Sequence, residues 1–266
     1  MKKEKITSPV NRQMKRIVQL NKKAKAREKE RIFVAEGIKM FSEAPKAWIE
    51  KVYVSESFCR QLEKDAYEHF AGYDWELVAD PVFHAVCDTK TPQGILTTFH
   101  MPEYTLQDLI KRAEPGLLLI ENIQDPGNLG TMFRTAEGAG IDGIIMSADT
   151  VDIFHPKTIR STMGSVFRMP FYITEDLVGA ISLLQKEGIC IYAASLEDSC
   201  LYDEPDYTAG YGFLIGNEGS GLCPDTVRRA DRSIHIPMAG ELESLNAAMA
   251  AAVLMYEADR QRRQKK

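Results

Sequence analysis

No run of 18 or more uncharged apolar residues occurs in this 266-residue chain, which leaves no candidate membrane span. The opening Met1-Lys2-Lys3-Glu4-Lys5-Ile6 lacks the apolar stretch of a secretory signal. Cysteine is sparse. The five residues (59, 87, 190, 200, 223) are odd in number and scattered, with no CxxC pair, so neither a disulfide framework nor a zinc site is expected. A reducing cytoplasm suits that usage. The five histidines make no pair at metal-ligand spacing, and His235 in an alternating strand reads as a core or edge residue. No serine sits in a GxSxG elbow. Gly216-Asn-Glu-Gly-Ser-Gly221 has no Lys-Ser/Thr after it, which excludes a P-loop. Gly138-Ala-Gly-Ile-Asp-Gly143 spells GxGxxG but follows a helical run and precedes a strand. That is the reverse of the order that offers a helix N-terminus to a pyrophosphate. Internal repeats are absent as well.

What is present is an ordinary globular composition, 44% apolar and 27% charged, long enough for two domains. The net charge of −5 hides an asymmetry. Twelve Lys and Arg against three Glu fall within residues 1–31, a local +9, which leaves 21 basic and 35 acidic residues for the rest. A basic arm on an acidic body suits a polyanionic partner engaged by the arm. Met14, Ile17, Val18 and Leu20 give the arm an apolar stripe at helical spacing, so it should dock as a helix over about 8–29. The basic tail 260–266 needs no such reading, because cations at a helix C-terminus are favourable in themselves.

The first third alternates helix and strand. Strands are expected at 31–35, Ile49–Ser55, Trp75–Val78 and Ile95–Phe99, with helices at 36–44 and near 56–70 and a helical turn at Phe83–Asp88. Pro102, Pro115 and Gly116 mark a connector, so the boundary falls between about 101 and 115, giving domains 1–104 and 113–266. Beyond it, strands at 117–122, 143–147, 170–173, 189–194, 211–216 and 232–236 alternate with helices. That rhythm calls for an α/β domain with a mainly parallel sheet.

Three loops carry polar residues that packing does not require: Asn122–Arg134, Leu214–Leu222 and Ile236–Asn246. Each follows a strand-like run, where open α/β sheets place ligands. Gly216, Gly219 and Gly221 let a ligand touch backbone directly, and Ile236, Pro237, Met238 and Leu245 could wall a flat heterocycle. Asn246 opens a helix with Leu242, Leu245, Met249, Val253 and Tyr256 on one face, and it reads equally as an ordinary cap. Arg134, two turns into a helix opened near Asn128, could be a surface cation or a phosphate receptor.

Asn128 and Arg134, then Gly216-x-Glu218-Gly219-x-Gly221-Leu222, then Ile236-Pro-Met238 with Glu243-Ser-Leu-Asn246, resemble the three motifs of the SpoU (TrmH-type) branch of the SPOUT RNA methyltransferases. His155–Phe167 resembles the family's segment between the first two motifs, with His155 where a small polar residue is commoner. The likeness spans about 117–258. Ser8-Pro-Val-Asn11, the basic helix, Phe33–Gly37 and Thr91-Pro-Gln-Gly94 are similar to the small α/β RNA-binding domain that precedes the catalytic domain in many members.

The resemblance implies transfer of a methyl group from S-adenosylmethionine to a ribose 2′-oxygen of structured RNA, a trefoil-knotted catalytic domain, a homodimer and no metal. Carried over, Gly216, Gly219, Ile236, Met238 and Leu245 would hold the cofactor. Asn128, Arg134, Glu218, Ser244 and Asn246 would surround the reacting hydroxyl, with Glu218 a proton acceptor if its carboxylate reaches that group. Arg12, Lys15, Arg16, Lys22, Lys23 and Arg160 would contact RNA. The family makes Arg134 a base, yet a guanidinium is a poor base at neutral pH, so a clamp on phosphate and developing alkoxide stays open beside it. The basic arm points to ribosomal rather than transfer RNA. A transfer-RNA ribose methyltransferase and a non-catalytic ribosome-assembly protein on the same fold are the alternatives.

Overall fold

The structure is a computed structural model that describes residues 4–62, 66–242 and 244–265. Lys2, Lys3, Glu243 and Lys266, and residues 63–65 of the helix expected near 56–70, lie outside the described residues. In chain order the first third runs α1 (Arg12–Lys22), α2 (Ala24–Glu30), β1 (Ile32–Glu36), α3 (Ile38–Glu43), β2 (Ile49–Ser55), α4 (Glu56–Gln61), α5 (Ala66–His69), β3 (Trp75–Val78), α6 (Asp80–Val86) and β4 (Ile95–His100). It continues with α7 (Leu106–Leu109), β5 (Gly116–Ile120), α8 (Pro126–Gly138), β6 (Gly143–Ser147), α9 (Pro156–Thr162), β7 (Phe171–Thr174), α10 (Leu177–Lys186) and β8 (Cys190–Ala194). The chain closes with β9 (Ser199–Leu201), β10 (Tyr211–Ile215), α11 (Pro224–Arg229), β11 (Arg232–His235) and α12 (Ala247–Lys265).

Two compact units result. One joins residues 1–102 with 152–167, and the other joins 103–151 with 168–266. The segment between the first two motifs therefore packs with the N-terminal residues, which a single linear boundary does not anticipate.

The first unit holds a four-stranded sheet in the order β1-β4-β2-β3, in which only β2 and β3 pair in parallel. Met14, Ile17 and Leu20 of α1 are buried in a cluster with Ile32, Val34, Tyr53 and Phe83, so the arm docks by its apolar stripe. It is not one helix, however. Lys23 is extended and splits α1 from α2. The guanidinium of Arg27, 2% exposed, donates to the carbonyls of Leu20 (2.6 Å) and Asn21 (3.3 Å), which a continuous helix would satisfy from its own backbone. Asp152 neutralises the buried charge through both Nε and Nη2.

The second unit is a seven-stranded, wholly parallel sheet in the order β7-β6-β5-β10-β8-β11-β9. β5 and β10 sit near its middle and are buried along their whole length, which accounts for Gly-Leu-Leu-Leu-Ile and Tyr-Gly-Phe-Leu-Ile as unbroken apolar runs. β9, three residues at an edge, is not anticipated from the sequence. β10 separates β5 from β8, so strand order reverses about the centre and opens a crevice at the C-terminal ends. α12 packs on α8 and β10 by Ala248, Ala251, Leu254, Met255 and Ala258. Of the face expected to be apolar, Met249 and Tyr256 lie outward at 49 and 48% exposure and Val253 is half-buried, while Leu242 and Leu245 precede α12. The inward face is rich in small residues, with Ala248, Ala251 and Ala258 buried.

Candidate active site

β5, β10, β8 and β11 are consecutive neighbours in the sheet, so the loops leaving their C-terminal ends stand side by side. The loop after β5 turns sharply: Asn122 takes a left-handed φ of 54°, and its N–H donates to Ser147 Oγ at 2.9 Å. Asp125 then caps α8, accepting from the Asn128 N–H at 2.8 Å, with Pro126 in the first turn. This fixes Asn128 on the first turn of α8.

Glu218, in the loop after β10, reaches back to that segment. Its carboxylate accepts from the N–H groups of Gln124 and Asp125, both at 3.1 Å, and from Asn128 Nδ2 at 2.9 Å. Asn246, at the end of the loop after β11, donates from Nδ2 to Asn128 Oδ1 at 3.1 Å. A chain Asn246→Asn128→Glu218 thus links three segments far apart in sequence. The cap reading of Asn246 also holds, since its Oδ1 accepts from the N–H groups of Ala248 (3.0 Å) and Met249 (3.3 Å). One amide does both, by opposite ends.

The chemistry of Glu218 follows. Burial alone would push its carboxyl up, but donation from Asn128, from the Gln124 and Asp125 backbone and from its own N–H outweighs this and lowers it below the usual glutamate range. At neutral pH it is a carboxylate with its oxygens engaged, which makes it a weak proton acceptor and a strong organiser of the loop. Arg134 is not part of this chain. It is exposed on α8, six residues and about 9 Å of helix rise beyond Asn128. Its side chain makes no hydrogen bond or ion pair among the described residues.

Beside the chain lies a cavity of about 600 Å³. Gly216, Gly219, Ile236, Met238 and Leu245 all line it, as do Glu218 and Ser244, while Asn128, Arg134 and Asn246 do not. It is also lined by residues 194–197, from the end of β8 into the turn after it, and by Asn217 and His235. The sequence reading missed these residues, although a loop at the C-terminal end of an internal parallel strand was the available signal. The glycines divide their work. A Cβ on Gly216 would lie within 2.5 Å of the Gly221 carbonyl oxygen, and Gly221 has a φ of 69°. A Cβ on Gly219 would meet only Asn217 Oδ1 at 3.6 Å. The chain therefore closes on itself at Gly216, while Gly219 leaves its backbone open to the cavity. Among the described residues no group of three His, Cys, Asp or Glu could hold a metal, and no helix is long and apolar enough to cross a membrane. A further cavity, about 400 Å³ at the other end of the sheet, is lined by Arg262, whose side chain is committed to the fold: it stacks on Tyr211 at 4.5 Å and donates to the carbonyls of Tyr207, Glu114 and Ala209.

The model of the SpoU rRNA methylase family matches residues 116–256, spanning every loop of this site. The chain belongs to the SpoU rRNA methylase family. Residues 11–97 match an MRM3-like substrate binding domain. A Bacillus subtilis relative, 23S rRNA (guanosine(2553)-2′-O)-methyltransferase RlmP, is 35% identical over 251 residues, 94% of this chain and 97% of its own. An AdoMet-bound rRNA methyltransferase from Sinorhizobium meliloti superposes with a TM-score of 0.85 at 33% identity, covering 97% of both chains. The SpoU methyltransferase AviRb from Streptomyces viridochromogenes, in complex with AdoMet, gives 0.85 at 26%, covering 96% of this chain and 100% of its own. The fold of this SpoU methylase is that of the SPOUT methyltransferases, and its cofactor is S-adenosylmethionine. The cavity suits that group, with a volume in the range of small-molecule sites, apolar walls and backbone groups bared by glycine.

In the first unit, Arg12, Lys15, Lys22 and Lys23 are exposed, and their side chains make no hydrogen bond or ion pair among the described residues. Arg16 differs. It forks onto Glu50 at 2.9 and 3.0 Å and reaches Glu30 at 2.5 Å, so it is committed within the fold. Arg160 is paired with Asp88 at 2.7 Å.

Proposed function

We propose that this protein methylates a ribose 2′-oxygen of 23S ribosomal RNA, working as a cytoplasmic homodimer. The observation that carries the reading is the Asn246→Asn128→Glu218 chain at the rim of the cofactor cavity, where three strand-end loops meet. Names of relatives from several bacteria support the 23S target.

Bound S-adenosylmethionine supplies a methyl group already activated by its sulfonium charge. Gly216, Gly219, Ile236, Met238 and Leu245 hold it and keep water from it. In this reading the C-terminal part of the chain is knotted around the cavity. Asn128 and Asn246, each fixed at both ends of its amide, offer polar edges to the incoming ribose, with Ser244 beside them. Glu218 holds the Asn128 loop rather than taking the proton, which passes to solvent water at the exposed rim as the O–CH3 bond forms and the S–CH3 bond breaks to leave S-adenosylhomocysteine. Arg134, exposed and unengaged among the described residues, clamps the phosphate next to the reacting sugar and stabilises charge growing on the 2′-oxygen. Arg12, Lys15, Lys22 and Lys23 hold the RNA backbone; Arg16 serves the fold. The outward pair Met249 and Tyr256 of α12 supports the dimer, because a monomer in water has little reason to expose it.

The test is transfer of labelled methyl from S-adenosylmethionine to unmodified 23S rRNA, followed by nucleoside analysis. The expected product is one 2′-O-methylated nucleoside. Labelled base, or labelled transfer RNA only, would overturn the assignment.

A further inference from the structure

Asn217, the neighbour of Glu218, lines the cavity, and both ends of its side chain are engaged. Its Oδ1 accepts from the N–H groups of Gly219 (2.9 Å) and Ser220 (3.0 Å) and from the Ser220 hydroxyl (3.2 Å). Its Nδ2 donates to the backbone carbonyl of Asn122 at 2.7 Å. Around it the backbone closes on itself, the Asn217 N–H donating to the Gly221 carbonyl and the Gly221 N–H to the Asn217 carbonyl, both at 3.0 Å. The amide orientation is fixed without ambiguity, because N–H donors face one end and a carbonyl faces the other.

These bonds place Asn217 between two functional parts. Its oxygen end shapes the Gly219–Gly221 turn, a wall of the cofactor cavity. Its nitrogen end grips the left-handed Asn122, where the chain turns from β5 toward Asn128. Glu218 grips the same segment a little further on, through the N–H groups of Gln124 and Asp125 and the Asn128 side chain. Adjacent side chains of complementary polarity thus staple one loop, the amide holding its carbonyl and the carboxylate holding its N–H groups.

We infer that Asn217 is a positioning residue for methyl transfer, its oxygen end setting the cofactor wall and its nitrogen end setting where Asn128 stands. This rests on the methyltransferase reading above. Because the two ends serve different steps, they separate by substitution. Asn217→Asp keeps an acceptor for Gly219 and Ser220 but sets a carboxylate oxygen against the Asn122 carbonyl. Asn217→Ala removes both ends.

The experiment measures cofactor affinity and binding stoichiometry by calorimetry, thermal unfolding, and kcat and KM for methyl transfer to 23S rRNA. Asn217→Asp should bind S-adenosylmethionine at full stoichiometry with wild-type affinity, while kcat falls by about 10²-fold, the scale of an ångström-sized misplacement. Asn217→Ala should lose cofactor affinity as well. Wild-type kcat in Asn217→Asp, or a kcat loss in both variants matched by lost stoichiometry, would overturn the inference, the latter marking a merely structural residue. Wild-type protein that binds the cofactor but transfers nothing to rRNA would instead overturn the functional reading. The contrast in cofactor affinity between the two variants would still decide the oxygen-end assignment.

Discussion

Replacing Gly216 with alanine adds one methyl group at the point where the loop after β10 folds back on itself. That methyl would lie within 2.5 Å of the Gly221 carbonyl oxygen and as close to the Gly221 carbonyl carbon and Leu222 nitrogen, all backbone atoms that no rotamer change can withdraw. Real approaches of this kind do not fall below about 3 Å, so the Gly221–Leu222 wall must retreat by about half an ångström or more. Overpacking of this size costs about 1–3 kcal/mol. Both residues line the cofactor cavity, so the strain should appear as weaker S-adenosylmethionine binding, roughly tenfold to a hundredfold. Gly219→Ala is the control for strain in the fold alone, because Gly219 itself lines the cavity. Its Cβ would find only Asn217 Oδ1, at an ordinary 3.6 Å. Calorimetric titration and thermal unfolding of the two variants read the result directly. Wild-type affinity in Gly216→Ala would show that Gly216 is not where the backbone closes on the cofactor wall.

Four further outcomes follow from the geometry. Met249→Asp places a charge in the exposed stripe of α12 without touching its buried face, and sedimentation should show a monomer; an unchanged dimer would move the interface elsewhere. Reversing Lys15, Lys22 and Lys23 to Glu should weaken RNA binding and flatten its salt dependence by roughly 0.7–0.9 in slope for each phosphate that is no longer neutralised, at unchanged cofactor affinity. Arg16→Ala should instead lower the melting temperature, because it strips Glu50 and Glu30 of their partner. Arg134→Lys should cut kcat by about 10²-fold with cofactor binding intact, since lysine keeps the charge but lacks the fork. As a clamp the variant should not recover at high pH, where the ammonium, of unperturbed pKa about 10.4, loses its charge; recovery there would point to a base.

Several features were legible in the sequence for physical reasons. β5 and β10 announce themselves because strands buried on both faces must be continuously apolar. The three site loops stand out because Gly, Pro, Asn and Glu cluster at strand ends. The rest was hidden by the same physics. α12 carries apolar residues on two faces, Leu254 and Met255 on one and Met249 and Tyr256 on the other, and periodicity alone cannot say which turns inward. Arg16 looks like any other arm cation until Glu50 arrives from a distant strand. The bond from Asn128 to Glu218 spans 90 residues and follows no local rule. The grouping of 152–167 with the first unit likewise rests on non-local interactions, among them buried Arg27 on Asp152. Asn217 is invisible to pattern reading because an amide in a glycine loop has no periodic signature.

Whether the Asn246→Asn128→Glu218 chain positions a ribose of 23S rRNA for methylation is decided by mapping 2′-O-methyl groups across total RNA. The strain lacks the gene and is complemented with either wild-type protein or Asn128→Ala. One 23S rRNA 2′-O-methyl should disappear on deletion and return with wild-type protein. It should stay absent with Asn128→Ala, although the variant still binds S-adenosylmethionine. An unchanged 23S map on deletion would remove the proposed substrate, and full restoration by Asn128→Ala would remove the chain from the chemistry.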